Sequence, residues 1–183
     1  MNESEQGVTI VAGFVNDVLN FYEPYKQQFA KPIFDMTEHI DFTDPGNLVP
    51  MKLYNDICTW VEKNIGAASI AQLGKAIGER AYDHIEQSGG LGENVSPLEI
   101  LTELKRAASA LIQDPLDRGW EIVEHGDSHI VMRRTQTFNC ILQESLLKSF
   151  VARTGVKGVQ VTHERCTRKN DEYCDYRIQW LDL

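Results

Sequence analysis

The sequence has fewer basic than acidic residues, no long apolar run and no export signal. Its 27 acidic and 18 basic residues give the 183-residue chain a formal net charge of −9. Phosphate backbones and anionic membranes require a positive field on the protein that binds them, so we expect neither nucleic acid nor a membrane as a partner. No apolar stretch approaches the roughly 20 residues that a transmembrane helix needs.

Two further absences concern compartment and catalysis. The first residues, MNESEQ, contain no basic region followed by an apolar one, so we expect a soluble, cytoplasmic protein. The glycine-rich stretch GGLG at 89–92 follows a predicted helix, whereas a phosphate-binding glycine loop follows a strand. Because neither a dinucleotide fingerprint nor a catalytic triad is present, an enzyme is not the expected class.

The hydrophobic pattern predicts helices first and a β-rich half second. Apolar residues at helical spacing predict helices over roughly 8–22, 52–63, 70–85, 97–112 and 139–153. Alternating and β-branched residues predict strands over 119–125, 129–135, 157–165 and 173–181. The fold class is therefore α+β, with N-terminal helices followed by β-β-α-β-β and an antiparallel four-stranded sheet covered by helices.

A turn-rich segment divides the chain near residue 48. Pro45, Gly46 and Pro50 terminate regular structure and favour turns. We therefore expect an N-terminal helical extension over residues 1–48 and a ligand-binding domain over residues 49–183. The extension would serve as a dimerising arm or as a contact for a partner protein.

Two glycines, Gly74 and Gly78, lie four residues apart and share one face of a predicted helix. A residue without a side chain lets a second helix approach closely. The pair suits the seam of a homodimer, and it suits packing within one protomer equally well.

A histidine and two cysteines lie close together in the stretch HERCTRKNDEYC, residues 163–174. Alternate residues of a strand share a face, which places His163 on the inward face of one strand and Cys174 on that of the next. Cys166 lies in the connecting hairpin. Cys140 lies in the first turn of the helix that must cover the same face, where the helix dipole favours the thiolate form.

Cys140, His163, Cys166 and Cys174 can therefore converge on one point. Three thiolates and one imidazole make up the tetrahedral shell of a closed structural zinc site. Two alternatives stay open: the cysteines are small buried hydrophobes beside a core histidine, or Cys166 and Cys174 form a disulfide, which a reducing compartment disfavours. Cys58 stands alone on a predicted helix and is expected in the core.

The same hairpin resembles that of a known family. The segment from about Val49 to the end, most clearly from Trp120 onward, resembles the 4-vinyl reductase domain, which is related in fold to NO-signalling and vesicle-tethering adaptor domains. The match is HERCTRKNDEYCDY, where Cys166 and Cys174 have the family's separation and Tyr176 is its aromatic residue after the last cysteine.

The resemblance also implies a metal site. Phenol-sensing members of the family hold zinc with three cysteines and one glutamate. By this resemblance Cys140, His163, Cys166 and Cys174 would hold zinc here, with His163 at the glutamate position. Glu164 would replace His163 as the ligand if the strand contains a bulge.

The resemblance further implies a sensor. Its sensory members are dimers in which each protomer encloses a small aromatic ligand between helices and sheet, so we expect a homodimer and a small hydrophobic, aromatic or tetrapyrrole-like ligand. Trp120 lies near the family's pocket tryptophan, and other candidates for the lining are Tyr82, His84, His129 and Met132. Because no ATPase motif or DNA-binding element follows the domain, the signal would leave through a partner protein.

Three alternative functions stay open. Related folds bind haem through a histidine, and the free candidates are His39, His84, His125 and His129. A dimeric interaction adaptor with its core filled by side chains is the second alternative. The family name also records a proposed role in reducing a vinyl group of chlorophyll precursors, so an accessory protein or reductase of tetrapyrrole metabolism is the third.

Overall fold

A computed structural model describes residues 5–89, 91–92 and 94–181; Gly90 of the GGLG stretch and residues 1–4 of MNESEQ lie outside them. The helices are α1 (Ala12–Tyr22), α2 (Lys31–Asp35), α3 (Met51–Asn64), α4 (Ala67–Gln87), α5 (Pro97–Leu111) and α6 (Cys140–Ala152). The strands are β1 (Thr9–Val11), β2 (Leu48–Pro50), β3 (Ile112–Gln113), β4 (Trp120–Gly126), β5 (His129–Arg134), β6 (Lys157–Arg165) and β7 (Cys174–Leu181). Shorter turns are the 3-10 helices Glu23–Tyr25 and Thr167–Lys169 and the π-helix Lys26–Ala30.

The second half of the chain forms an antiparallel four-stranded sheet in the order β4-β5-β7-β6. Helix α6 packs on β6 and β7, and α4 packs on α6. The predicted α+β class, with N-terminal helices and a helix-covered antiparallel sheet, is confirmed. Within the described ranges, no helix combines the length and the apolar character needed to cross a bilayer.

A second, three-stranded sheet in the order β2-β1-β3 is not predicted by the sequence pattern. Residues 9–11 were expected to begin a helix, but β1 pairs with β2 on one side and with β3 on the other. These strands are two or three residues long, which is too short to show an alternating pattern of apolar and polar residues. Main-chain hydrogen bonds thus join the N-terminal segment to the residues after α5, and the domain boundary at residue 48 stays a prediction.

Helices α4 and α6 touch backbone to backbone where Gly74 and Gly78 lie. A Cβ on Gly78 would lie 2.6 Å from the Leu146 carbonyl oxygen, and one on Gly74 would overlap the Leu142 carbonyl oxygen. The Ser149 hydroxyl of α6 donates to a main-chain carbonyl of α4 across the same contact, at 3.1 Å. The glycine pair therefore serves packing within one chain and gives no support to a homodimer seam.

Gly78→Ala is expected to lower the free energy of unfolding by about 1 to 3 kcal/mol, because the added methyl group forces α4 and α6 apart. Gly92→Ala is the control, since a Cβ at Gly92 meets no atom within 4 Å. Urea unfolding followed by circular dichroism measures both variants. Equal stability of the two would contradict the backbone contact.

Candidate functional site

Four metal-ligand side chains meet where α6 begins. Cys140 is the first residue of α6, His163 lies near the end of β6, Cys166 precedes a 3-10 turn, and Cys174 begins β7. Their ligand atoms all lie within 4.8 Å of one another. The Sγ atom of Cys140 lies 3.7 Å from that of Cys166 and 3.8 Å from that of Cys174. All four side chains predicted as metal ligands are thus brought together, and both cysteines of the alternative disulfide are free thiols.

The hairpin between β6 and β7 is shaped by its own turn residues. Asn170 adopts the left-handed conformation, with a φ of 69°, which asparagine tolerates better than most residues. The Asp171 carboxylate accepts a hydrogen bond from the Cys166 amide at 2.8 Å. A register shift follows His163, but Glu164 forms its ion pair with an arginine of β7 on the outer face. The described cluster therefore contains His163 and leaves Glu164 outside.

The thiols of the cluster differ in acidity. A hydrogen bond from Cys140 lowers the pKa of Cys174, and a bond from Thr167 adds to this effect against the opposing effect of burial. The hydrogen bond to Cys174 and burial raise the pKa of Cys140 in return. Of these two thiols, Cys174 is therefore the one that ionises first.

The histidine of the cluster has an unused ligand atom. Its Nε2 is buried, and no hydrogen-bond partner for it lies among the described residues. The His163 ring stacks on Tyr176 with the ring centroids 4.4 Å apart, which holds its plane in place. Three thiols and an unpartnered imidazole nitrogen are a donor set typical of zinc.

A cavity of about 520 Å³ lies between the helices and the four-stranded sheet. Helices α1, α4, α5 and α6 supply most of its lining, together with residues of β4 and β5. This volume is within the range of about 300 to 1,000 Å³ that is usual for small-molecule sites. Of the residues proposed as pocket lining, buried Trp120 and exposed His84 line this cavity, so His84 lies at its opening.

The other three proposed lining residues lie elsewhere. Tyr82 packs edge-on against Phe150, between α4 and α6. His129 is on the β4–β5 hairpin, where its Nε2 is 2.8 Å from a carboxylate oxygen of Glu124. Met132 is fully buried in the core and does not reach the cavity.

Sequence reasoning missed Arg134, which lines the cavity although only 3% of its surface is exposed. Its guanidinium carbon lies 4.6 Å from the ring centre of Trp120 and 4.2 Å from that of Phe138. Burial lowers its pKa to about 9. The alternation of β5 could have revealed this residue from the sequence, because it places Arg134 on the same inward face as Ile130 and Met132.

Helix α6 belongs to both the cluster and the cavity. Cys140 supplies a thiol to the cluster, while Gln143 and Leu146 line the cavity. The three residues are spaced by three positions, which is close to one helical turn each. A displacement of α6 therefore moves both sites.

The start of α6 is anchored by polar contacts. The Asn139 side-chain oxygen accepts hydrogen bonds from the backbone amides of Ile141 and Leu142 at 3.1 Å each, and its side-chain amide donates to Glu62 of α3 at 2.6 Å. Arg168, in the turn that follows Cys166, forms an ion pair with the same carboxylate at 2.7 Å. This pair lowers the pKa of Glu62. The contacts tie α3, α6 and the metal-ligand hairpin together.

Solved structures match almost the whole chain. An H-NOX protein from S. oneidensis in the Fe(II)NO ligation state is 13% identical, has a TM-score of 0.64, and covers 93% of this chain and 99% of its own. The chain has the H-NOX fold. An unliganded Fe(II) H-NOX protein from K. algicida is 7% identical, with a TM-score of 0.56 and coverage of 95% and 98%. A structure that probes heme distortion in the H-NOX family is 10% identical, with a TM-score of 0.57 and coverage of 91% and 94%.

At these identities the likeness establishes the fold alone. No protein-family model and no curated protein matches the sequence. The resemblance to the 4-vinyl reductase domain, stated for the segment from about Val49 to the end, is therefore wrong, because H-NOX structures match 93% of the chain. Turn chemistry and strand alternation demand similar residues in unrelated hairpins. The reductase and accessory-protein alternatives rested on the family name and lose that support.

The H-NOX neighbours support haem as a ligand of this fold, since they contain Fe(II) and one addresses heme distortion. Haem iron is held by His, Cys, Met or Tyr. Among the described residues that line this cavity, only His84 and Tyr54 are of these types. His39, His125 and His129, the other candidates, do not line it.

Neither lining residue is well suited to haem iron. His84 lies at the opening, whereas the iron of a planar macrocycle lies at its centre and needs a ligand from inside the cavity. Tyr54 is fully buried, and burial raises its pKa well above the usual value, so it stays a neutral phenol. Helix α5 offers the cavity only Leu104, Leu111 and two alanines. The lining therefore fits haem poorly.

Titration of the purified protein with haem is expected to produce no Soret band of coordinated haem, because no imidazole reaches the cavity interior. The visible absorption spectrum measures this, with His84→Ala as the matched variant. A Soret band in the wild-type protein that disappears in His84→Ala would contradict the expectation.

Proposed function

We propose that the protein is a small-molecule sensor. An organic ligand occupies the cavity, zinc braces the start of α6, and a change in α6 is passed to a partner protein. The main support is that α6 supplies Cys140 to the cluster and Gln143 and Leu146 to the cavity. The H-NOX fold supports the same class, since the S. oneidensis protein carries NO on its Fe(II).

Zinc is supported by the spacing and chemistry of the four side chains. Two thiolates bound to zinc at about 2.3 Å in tetrahedral geometry lie about 3.8 Å apart. The Sγ atoms of Cys140 and its two cysteine neighbours are 3.7 and 3.8 Å apart, and the Nε2 of His163 is buried without a partner among the described residues. A closed shell of this kind would hold α6 to the hairpin and leave no open position for catalysis.

Cys166→Ser and Cys174→Ser are each expected to abolish stoichiometric zinc. The melting temperature should fall by about 5 to 15 °C, since each kcal/mol corresponds to about 2 to 4 °C in a chain of this size. Native mass spectrometry measures the metal and thermal unfolding the stability. Cys58→Ala, which removes a buried thiol outside the cluster, should keep the zinc. A wild-type protein purified without metal would contradict the zinc site.

The cavity favours a ligand-binding protein over the adaptor with a filled core. An adaptor needs no cavity, whereas a largely apolar cavity of about 520 Å³ is of the size and character of small-molecule sites. The homodimer and the role of residues 1–48 as a partner contact stay predictions.

Coupling between the two sites is expected to appear in hydrogen exchange of α6. Chelation of zinc should speed amide exchange at residues 140–146, and a ligand in the cavity should slow it, because both sites contact the same helix. Hydrogen–deuterium exchange read by mass spectrometry measures this, with α5 as the internal control for chelation. Unchanged exchange in α6 after chelation would contradict the proposed coupling.

A further inference from the structure

The cavity contains one buried cation without a counter-ion. Arg134 is 97% buried, and its Nε has no hydrogen-bond acceptor among the described residues. Its Nη2 donates to the Gln136 side chain at 2.9 Å, and no carboxylate of the described residues forms an ion pair with it. The two aromatic rings beside the guanidinium offset only part of the cost of burying its charge.

The nearest carboxylate along this hydrogen-bond chain is already paired. The Gln136 amide donates to Asp114 at 3.1 Å, and Asp114 forms an ion pair with Arg118 at 2.9 Å. The negative charge of Asp114 is thus matched by another cation. An uncompensated charge in a protein interior costs several kcal/mol. At neutral pH Arg134 keeps its charge, because burial lowers its pKa only to about 9.

The rest of the lining is mainly apolar and selects the body of a ligand. Helix α5 presents Leu104 and Leu111, and α4 presents Ile77. The second arginine in the lining, Arg80, is exposed and already paired with Asp17 of α1. A second acidic group on the ligand would therefore lie beside the Asp17 carboxylate, which repels it. The first acidic group would contact Arg134.

We propose that the cavity binds a metal-free organic acid, with a single carboxylate that accepts a hydrogen bond from the Arg134 Nε and an apolar body that lies along α5. This inference rests on the proposed ligand-binding function and specifies the chemical class of the ligand. A carboxylate on a guanidinium forms charge-assisted hydrogen bonds, which are about twice as strong as neutral ones. The ligand thus provides the counter-ion that Arg134 lacks among the described residues.

The test compares decanoate with decanol, which share a ten-carbon body and differ in charge. Binding is followed by thermal shift and by the change in intrinsic tryptophan fluorescence, to which Trp120 contributes as the tryptophan that lines the cavity beside Arg134. Wild-type protein should bind decanoate about 10- to 100-fold more tightly than decanol. This ratio corresponds to the free energy that a hydrogen bond to a charged group contributes.

Arg134→Met should remove this preference and leave decanol affinity within about threefold of wild type. It should also raise the melting temperature of the ligand-free protein, because it removes a buried, unpaired charge. Arg133→Met is the matched control: Arg133 is the preceding residue of β5, faces outward and pairs with Asp175 at 2.9 Å. That variant should keep the full preference for decanoate. Arg134→Lys keeps a charge but lacks the Nε donor, and should show an intermediate preference.

Three outcomes would overturn the inference, and they bear differently on the proposed function. Equal affinity for decanoate and decanol in the wild-type protein would contradict the claim that the ligand is an acid, but it would still agree with a ligand-binding cavity. Binding of neither compound would overturn both. A haem Soret band that decanoate cannot displace would overturn a metal-free ligand while keeping a sensor.

Discussion

The close contact between α4 and α6 is the constraint on which the rest of the structure depends. Gly74 and Gly78 let the two backbones touch, so the position of α6 is set by main-chain atoms that cannot rearrange as side chains do. This contact holds α6 over the sheet. Cys140 is thereby brought within 4 Å of two hairpin cysteines, and Leu146 reaches the cavity wall.

Three buried polar side-chain atoms have no hydrogen-bond partner among the described residues, and two of them lie at the metal-ligand cluster and the cavity. These two are the buried Nε2 of His163 and the buried Nε of Arg134. Most buried polar groups in folded proteins are paired, and exceptions call for a ligand, an ion or a water. One atom lies among three thiols and the other in an apolar cavity, so the first favours a metal ion and the second an organic anion. Helix α6 lies against both.

Local patterns in the sequence predicted much of the second half of the chain. The hairpin β4–β5, the helix α6 and the strands β6 and β7 appear within one or two residues of their predicted bounds, because each is long enough to show its period. The convergence of Cys140, His163, Cys166 and Cys174 followed from strand alternation and is present in the structure. Strands β1, β2 and β3 were missed because two or three residues show no period. The family assignment failed because its most specific match, one hairpin motif, is too short to distinguish folds.

The sequence by itself determined which residues face inward on each long strand and helix, since this depends on periods of 2 and 3.6 residues along the chain. Arg134 shows the limit of such reasoning: its inward position follows from the alternation of β5, but the lack of a counter-ion among the described residues depends on side chains far apart in sequence. The tertiary structure alone decided between a dimer seam and an internal contact for Gly74 and Gly78. It also decided that His84, rather than His129, lies at the cavity. Such questions depend on which surfaces meet in space, and a local pattern contains no information on long-range contacts.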